Sequence, residues 1–325
     1  MYGKPNEYIF AIVIKYLSYN DIDKAKWDSC IRNSVNGLIY AYSWYLDITC
    51  NKWDGLVEDD YKSVMPLPRG EKYGFIYTYQ PTFTQQHGVF STSKITNAKV
   101  EEFLKMIPAK YKYVEISLNT FNRAKDDSFE TSEGVTHLLD LISSYTTLQS
   151  NYSTQAKRNL KKALASSLTI AKNIPPKKVI DLFRANRGKN YDITGAQYTM
   201  LNALMHTCIK KGLGQCWGVY TKEKELCAGA FLAESNRRVI FLFSGTNKTA
   251  FETQAMTFLI NRYIEENAQQ NLIFDFEGST DPDVARFYKG FGSKEVHFIK
   301  IRKNNLPGPV KWLKELQVKK KASAK

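Results

Sequence analysis

The chain has 325 residues, of which 43% are apolar and 13% aromatic, with 46 basic and 32 acidic side chains. This composition excludes disordered, collagen-like and disulfide-scaffold proteins and predicts packed cores in roughly two domains of about 150 residues. No apolar run approaches the ~20 residues of a membrane helix and no secretory signal follows Ile14, so we expect a cytoplasmic protein without transmembrane contact. The five cysteines lack ligand spacing, which predicts reduced thiols and no metal site.

The positive charge belongs to one half of the chain. Residues 1–150 carry 16 basic and 18 acidic side chains, a net charge of −2, whereas residues 151–325 carry 30 and 14, a net charge of +16. Residues 157–189 contain ten of these cations and one acid, Asp181. Such asymmetry favours a phosphate-bearing partner such as tRNA, coenzyme A or a nucleotide-linked precursor. A solvated basic face is the alternative.

The first half reads as mixed α/β. Apolar runs and breakers predict these elements in chain order: a strand at Ile9–Ile14, a helix at Ile22–Ser34, strands at Leu38–Tyr42 and Phe75–Tyr79, a helix at Lys99–Ile107, and strands at Tyr113–Leu118 and His137–Ser143. Since a helix is predicted from about Ser153 to Ala165, with Ser153 or Thr154 as its cap, we place the domain boundary near residue 150.

The second half has a clearer pattern. Helices are predicted from Pro175 to Ala185 and from Gln197 to Lys211. They are followed by an antiparallel meander of strands at Trp217–Thr221, Leu226–Glu234 and Val239–Ser244, a helix across Met256–Ile264, a strand at Leu272–Glu277, a helix capped by Asp281, and a strand at Val296–Ile301. This order is typical of the acetyltransferase (GNAT) fold. The predicted units are 1–150, 151–305 and a basic C-terminal tail, 306–325.

Two motifs lie within that order. The segments Asp275-Phe276-Glu277-Gly278-Ser279 and Phe287-Tyr288-Lys289-Gly290-Phe291-Gly292 resemble the signature of the Fem family of peptidoglycan aminoacyltransferases, as does Tyr152-Ser153-Thr154-Gln155-Ala156-Lys157-Arg158 with the residues to Ala163. The resemblance spans about residues 145–303 and is weaker in the first half, where it includes Gln85-Gln86-His87-Gly88. It implies an α/β (α+β) protein of two tandem GNAT domains, each a mixed, mostly antiparallel sheet flanked by helices.

The resemblance also implies a reaction. An acyl or aminoacyl group would pass from an activated ester or thioester to an amine, without metal or permanently bound cofactor, and the donor substrate would be acyl-CoA or aminoacyl-tRNA. Gly245-Thr246-Asn247-Lys248-Thr249-Ala250 does not match the Gly-rich pyrophosphate loop of acetyl-CoA-dependent enzymes, in which backbone N–H groups hold the phosphates. Acyl-CoA and aminoacyl-tRNA therefore both stay open as donors.

The candidate catalytic residues are Asp275, Glu277 and Lys289. Asp275 and Glu277 alternate onto one face at the end of a strand, where a carboxylate of raised pKa could take a proton from an amine. The alternative is that they bind backbone at the turn or pair with Arg286, which we favour more for Asp275 than for Glu277. By resemblance, Lys289 would neutralise charge on the donor; otherwise it is an exposed helix lysine.

The candidate substrate-binding residues lie on two predicted helices. Lys157, Arg158, Lys161 and Lys162 have helical spacing and would bind phosphate, with Arg158 the best suited because its planar fork grips two oxygens. Tyr288 and Phe291 are substrate-binding candidates by their place in the motif. The rival hypothesis is a non-catalytic RNA- or nucleotide-binding protein on the same scaffold.

Overall fold

One long, mostly antiparallel sheet runs through residues 13–278 and 281–323, which the computed structural model describes. Its strands in the first half are β1 (Ile14–Leu17), β2 (Trp53–Glu58), β3 (Ser63–Lys72), β4 (Phe75–Thr78), β5 (Phe90–Ser91), β6 (Tyr111–Ser117) and β7 (Glu130–Asp140). Those in the second half are β8 (Thr169–Lys172), β9 (Gly214–Tyr220), β10 (Leu226–Ser235), β11 (Arg238–Thr246), β12 (Ile273–Asp275) and β13 (Lys294–Asn304). The predicted strand Ile9–Ile14 falls mostly outside the described residues, as does Ser279.

Helices cover both faces of the sheet. They are α1 (Lys24–Asn33), α2 (Ser43–Thr49), α3 (Asn97–Lys105), α4 (Tyr145–Ser150), α5 (Thr154–Leu164), α6 (Pro176–Ala185), α7 (Gly195–Lys210), α8 (Lys248–Thr253), α9 (Ala255–Asn267), α10 (Pro282–Lys289) and α11 (Gly308–Ser323). Two predicted caps are confirmed: the Ser153 hydroxyl accepts from the N–H of Ala156, and the Asp281 carboxylate accepts from that of Asp283. A side-chain oxygen at this position satisfies an N–H that has no partner within the helix.

The two halves of the chain exchange strands. The sheet order is β1-β2-β3-β4-β6-β13-β7-β12-β11-β10-β9-β8, with β5 beside β3. Thus β7, from the first half, lies between β12 and β13, and β13, from the second half, lies between β6 and β7. Only β4 with β6 and β11 with β12 are parallel neighbours in this described sheet. The predicted mixed, mostly antiparallel α/β architecture is confirmed.

Alternation along the strands separates two cores. In β11, Val239 and Phe241 belong to the core under α5, α8, α9 and α10, whereas Ile240 and Leu242 belong to the core under α1, α2, α6 and α7. Successive side chains of a strand point to opposite faces, so β9, β10 and β11 each contribute to both cores. A third cluster joins α3 to β2, β3 and β6.

The predicted strand at Leu38–Tyr42 is wrong. Residues Ile39–Ala41 form a 3-10 helix, in which the N–H of Ala41 donates to the carbonyl of Leu38 and that of Tyr42 to Ile39. The backbone hydrogen bonds of this short, buried apolar run are made within the run itself. Hydrophobicity alone does not distinguish such a buried helical turn from a buried strand. The consequence is that the Tyr40 side chain points between the halves of the chain.

Candidate active site

Strands β11 and β12 part after three residues. Arg238–Ile240 pair with Ile273–Asp275, after which β11 continues to Thr246 on β10 alone. The chain beyond β12 instead stays beside β7, because the N–H of Phe276 donates to the carbonyl of His137 at 2.9 Å and that of His137 to Glu277 at 3.1 Å. One edge of β11 is therefore left without a strand partner in the described sheet, from Phe241 to Thr246, and a gap opens at the carboxyl ends of two parallel strands.

A cleft of about 770 Å³ occupies this gap. Residues from both faces of the sheet line the cleft, with residues of β11 between them. The lining residues are Phe183, Asn186, Arg187 and Asn190 on the α6 side; Lys248, Phe251, Gln254, Met256 and Thr257 in the α8–α9 region; and Asp281, Asp283, Val284, Phe287 and Tyr288 in the α10 region. The volume of the cleft suits a substrate or cofactor site, and crevices beyond strand ends are where α/β sheets hold ligands.

The first turn of α9 forms one wall of the cleft. Gln254, in the left-handed conformation at φ 58°, gives the helix no side-chain cap. Thr257, in that first turn, is 1% exposed, and its hydroxyl has no hydrogen-bond partner in the described part of the chain. A helix N-terminus with uncapped N–H groups is favourable for an anion.

Glu277 lies just beyond the end of β12, at the junction of the halves. Its backbone is left-handed at φ 57°, its N–H donates to the Asp275 carboxylate at 2.9 Å, and its own carboxyl accepts a hydrogen bond from the Tyr40 hydroxyl. Burial raises the pKa of Glu277 to about 8, with a contribution from the negative charge of Asp275, while the Tyr40 hydrogen bond acts in the lowering direction. Glu277 is not among the residues that line the cleft, but a carboxyl with such a pKa is suited to exchange a proton near neutral pH.

Asp275 has structural partners on both carboxylate oxygens. It is 1% exposed, it accepts from Thr136 Oγ1 at 2.6 Å, and it forms a 3.0 Å ion pair with Arg238, which is also buried. Arg286, the partner considered from sequence, pairs instead with Asp283 at 2.9 Å. The carboxylate holds the start of β11 against β12 at the point where they part.

Asp275→Ala is expected to destabilise the protein by about 3–5 kcal/mol, because it leaves the Arg238 charge buried without a partner. Urea unfolding at pH 7 measures this, and Asp275→Asn, which keeps a hydrogen-bond acceptor for Thr136, should lose less. Unchanged unfolding together with lost activity would contradict the structural role and make Asp275 part of the chemistry.

Lys289, Tyr288 and Phe291 have different surroundings although they are close in sequence. Tyr288 lines the cleft and its ring packs on Phe276, with centroids 5.1 Å apart. Phe291 is fully buried and packs on Tyr152 and Phe276. The half-exposed Lys289 ammonium pairs with Glu295 of β13 and is not among the cleft-lining residues. Of these predicted site residues, Tyr288 therefore lines the cleft, whereas Glu277, Asp275, Lys289 and Phe291 do not; Glu277 follows Phe276, on which the Tyr288 ring packs.

The cationic face predicted on α5 is exposed. Lys157 donates to the carbonyl of Ser150 at 2.7 Å, whereas Arg158, Lys161 and Lys162 form no ion pair within the described residues. The opposite face of α5 packs on α9, and the N–H of Ser153 donates to the carbonyl of Gly290 at the end of α10. The basic helix thus flanks the layer that forms one wall of the cleft, without lining it.

Sequence reasoning missed Tyr40, Arg187 and His137. Tyr40 comes from the segment read as a strand, and Arg187 was one of many cations with nothing to single it out. His137 is 1% exposed and neither ring nitrogen has a partner in the described chain; burial lowers its pKa. The Gln85-Gln86-His87-Gly88 motif lies beside the segment that carries Tyr40, since His87 Nε2 is 3.4 Å from the Tyr40 carbonyl.

Stability is expected to fall by about 3 kcal/mol between pH 6.5 and pH 4 through His87. Burial lowers the pKa of His87 to about 4, so the folded protein resists a proton that the unfolded chain accepts near pH 6.5. The contribution is complete above pH 6.5 and is lost as the pH falls. Urea unfolding at several pH values should show a shallower slope for His87→Gln, and an unchanged slope for His206→Gln, since His206 is exposed. Equal slopes for wild type and His87→Gln would contradict this assignment.

The described residues contain no group of three or more His, Cys, Asp or Glu side chains placed to hold a metal ion. The five cysteines are free and buried. No helix in the described ranges is long and apolar enough to cross a membrane.

Solved structures with this architecture are similar over nearly the whole chain. FemX matches with a TM-score of 0.61 and 11% sequence identity, covering 88% of this chain and 96% of FemX. The fold is that of FemX, a tandem GNAT fold. L-PGS from Bacillus licheniformis matches with a TM-score of 0.52 and 10% identity, covering 89% of this chain and 94% of L-PGS.

A third similar structure is a conserved protein of unknown function from Bacteroides thetaiotaomicron VPI-5482, with a TM-score of 0.59, 10% identity, and coverage of 90% of this chain and 99% of that one. No family model and no curated protein sequence matches the chain. The similarity to FemX therefore concerns the fold and confirms the resemblance noted from the motifs.

Proposed function

We propose that the chain is an N-acyltransferase, in which an acceptor amine attacks an activated acyl ester or thioester directly. The single observation that carries the proposal is the parting of β11 and β12, because it creates a cleft through the sheet whose edge offers backbone N–H groups. The amine nitrogen forms the new C–N bond, the thiolate or ribose oxygen leaves, and the amine gives up a proton. No covalent enzyme intermediate is needed.

The unpaired edge of β11 supplies the oxyanion site in this proposal. Preorganised N–H donors aimed at developing negative charge are among the strongest sources of catalysis. The apolar surface of Phe241, Phe287 and Val284 would hold the acyl group or the arm that carries it. The first turn of α9, where the Thr257 hydroxyl has no hydrogen-bond partner among the described residues, is proposed to hold a phosphate of the donor.

Glu277 is the proposed proton acceptor, directly or through a water molecule. Its raised pKa and its hydrogen bond from Tyr40 favour this role over that of Asp275, whose carboxylate is committed to Arg238 and Thr136. The proposed role of Lys289 on donor charge requires the ammonium to leave Glu295. The exposed cations of α5 are proposed as an outer platform for a polyanionic donor, which favours aminoacyl-tRNA without excluding acyl-CoA.

The test is a transfer assay with the full chain. Thermal shift against acetyl-CoA, longer acyl-CoAs, bulk tRNA and nucleotide-linked cell-wall precursors first selects the donor class, because a ligand specific for the native state raises the melting temperature. Labelled donor of that class is then followed into amine acceptors, with Lys289→Ala included in the panel. Product formation supports the proposal.

The rival outcome is binding without transfer. If tRNA binds with strong salt dependence and no donor yields product, the chain is an RNA-binding protein on this scaffold and the catalytic proposal fails. The α5 cations favour this second candidate, since they lie on an open face rather than in the cleft.

A further inference from the structure

An ion pair spans the gap where the sheet divides. Arg187 Nη2 lies 2.8 Å from Asp281 Oδ2, and both side chains line the cleft. Arg187 begins the 3-10 helix Arg187–Asn190 that follows α6, on one face of the sheet. Asp281 caps α10, whose aromatic residues pack on the opposite face. The pair thus joins the two walls across the opening between β11 and β12.

The Arg187–Asp281 ion pair is partly exposed, and each of its partners has a second contact. Their side chains are 41% and 43% exposed, so the ion pair is in contact with solvent and contributes little to stability. Asp281 retains another bond, because its Oδ1 accepts from the N–H of Asp283 at 2.9 Å as the cap of α10. Arg187 lies against the Tyr191 ring, 5.9 Å from its centroid, which supports the guanidinium from a second side.

The other charged residues of the cleft are less suited to recognise an anion. Lys248 also lines the cleft, but its side chain is 91% exposed and lies 3.7 Å from Glu252 on the same helix. Asp283 is occupied by Arg286 at 2.9 Å. Arg187 is therefore the cation placed between the walls, and its planar fork binds phosphoryl oxygens in pairs.

We propose that Arg187 recognises a phosphoryl group of the ligand in the cleft and that Asp281 is its resting counterion, displaced when the ligand enters. The ligand class rests on the proposed function, whereas the exchange of partners rests on the ion pair. This exchange of partners makes the cleft selective for anionic ligands, because a neutral ligand cannot replace the Asp281 carboxylate on Arg187.

The experiment is equilibrium binding to the full chain at two salt concentrations. The probes are coenzyme A, pantetheine as the same arm without phosphates, and deacylated tRNA. Arg187→Gln should weaken binding of the phosphorylated probe at least tenfold and lower its salt dependence, whereas Asp281→Asn should tighten it severalfold. Asparagine can still cap α10 through its side-chain oxygen, so this variant removes the competing charge and keeps the helix start.

Matched controls come from the same region. Lys177 and Asp181 form an exposed pair on α6 that does not line the cleft, so Lys177→Gln and Asp181→Asn make the same charge changes elsewhere. Both should bind as wild type does. If Arg187→Gln weakens and Asp281→Asn tightens the binding of coenzyme A, the phosphoryl group is that of coenzyme A. If the two variants change the binding of tRNA in this way, the phosphoryl group is that of tRNA.

Three results would overturn the inference. They are equal effects of the control variants, effects on pantetheine as large as those on coenzyme A, or no binding of any phosphorylated probe. Transfer activity is measured on the same samples. Transfer with unaltered binding in Arg187→Gln refutes the inference alone, whereas the expected binding pattern without transfer refutes the proposed reaction alone.

Discussion

Glu277→Gln is expected to lower the rate of acyl transfer by about 10²-fold or more, which is the usual contribution of a general base. Glutamine keeps the shape of the side chain and can still accept the Tyr40 hydrogen bond, but it cannot take the proton of the acceptor amine. In the wild type the rate should rise with pH and level off above about pH 8, the pKa to which burial raises this carboxyl. Initial rates between pH 6 and pH 9.5, at saturating donor, measure both effects.

Stability separates this catalytic role from a folding defect. Since the folded-state pKa of Glu277 is raised, its contribution to stability is complete below pH 4.5 and is lost as the pH rises toward 8. Glu277→Gln has no such loss and should be at least as stable as wild type at pH 8. A variant that is fully active, or inactive only because it unfolds, would contradict the role.

Tyr40→Phe gives an independent check on the same carboxyl. The hydrogen bond from Tyr40 acts to lower the pKa of Glu277, so its removal should move the rising limb of the rate profile to higher pH. A uniform loss of rate without such a displacement would indicate that Tyr40 only supports the packing between the halves.

Neither fragment 1–150 nor fragment 151–325 is expected to fold alone, although residue 150 is where the sequence places a domain boundary. Without β7, strand β12 loses its antiparallel neighbour and β13 loses the longest of its pairings, Lys294–Arg302 with Glu130–Leu138. Without β13, strands β6 and β7 are no longer joined within one sheet. Buried strand edges with unmet N–H and C=O groups are costly and prone to aggregate.

Circular dichroism and size-exclusion chromatography of the separate and the co-expressed fragments test this expectation. Co-expression should restore a 1:1 complex with native secondary structure. The matched control ends the chain at Leu306, which removes α11; this helix is joined to the sheet by side-chain contacts such as Arg302 with Glu315, so the shortened protein should fold. Cooperative unfolding of fragment 151–325 by itself would show that the halves are independent domains.

Much of the second half was predictable because its signals are local. The Ser153 cap of α5, Asp281 with Pro282 at the start of α10, and the meander of β9, β10 and β11 depend on residues close in sequence. Hydrogen bonds at a helix start and alternation along a strand are fixed within a few residues, so the pattern of side-chain types was sufficient. The fold class followed from the order of these elements.

The candidate site depended on residues far apart in the chain. Tyr40 and Glu277 are separated by 237 positions and meet only in the folded chain, where the Tyr40 hydroxyl, from the 3-10 helix Ile39–Ala41, donates to the Glu277 carboxyl. The sequence could suggest Glu277 and not its partner, since Tyr40 looks like any other aromatic in an apolar run. The raised pKa of the carboxyl likewise comes from burial, which a local pattern does not report.

Composition and short-range spacing directly encode the basic second half, the helix caps, the strand order of the meander and the motifs that resemble the Fem family. The tertiary structure alone decided the exchange of β7 and β13, the parting of β11 from β12 and the Arg187–Asp281 ion pair across it. These features arise from contacts between distant segments, whose free energies depend on which surfaces the whole chain can bury together.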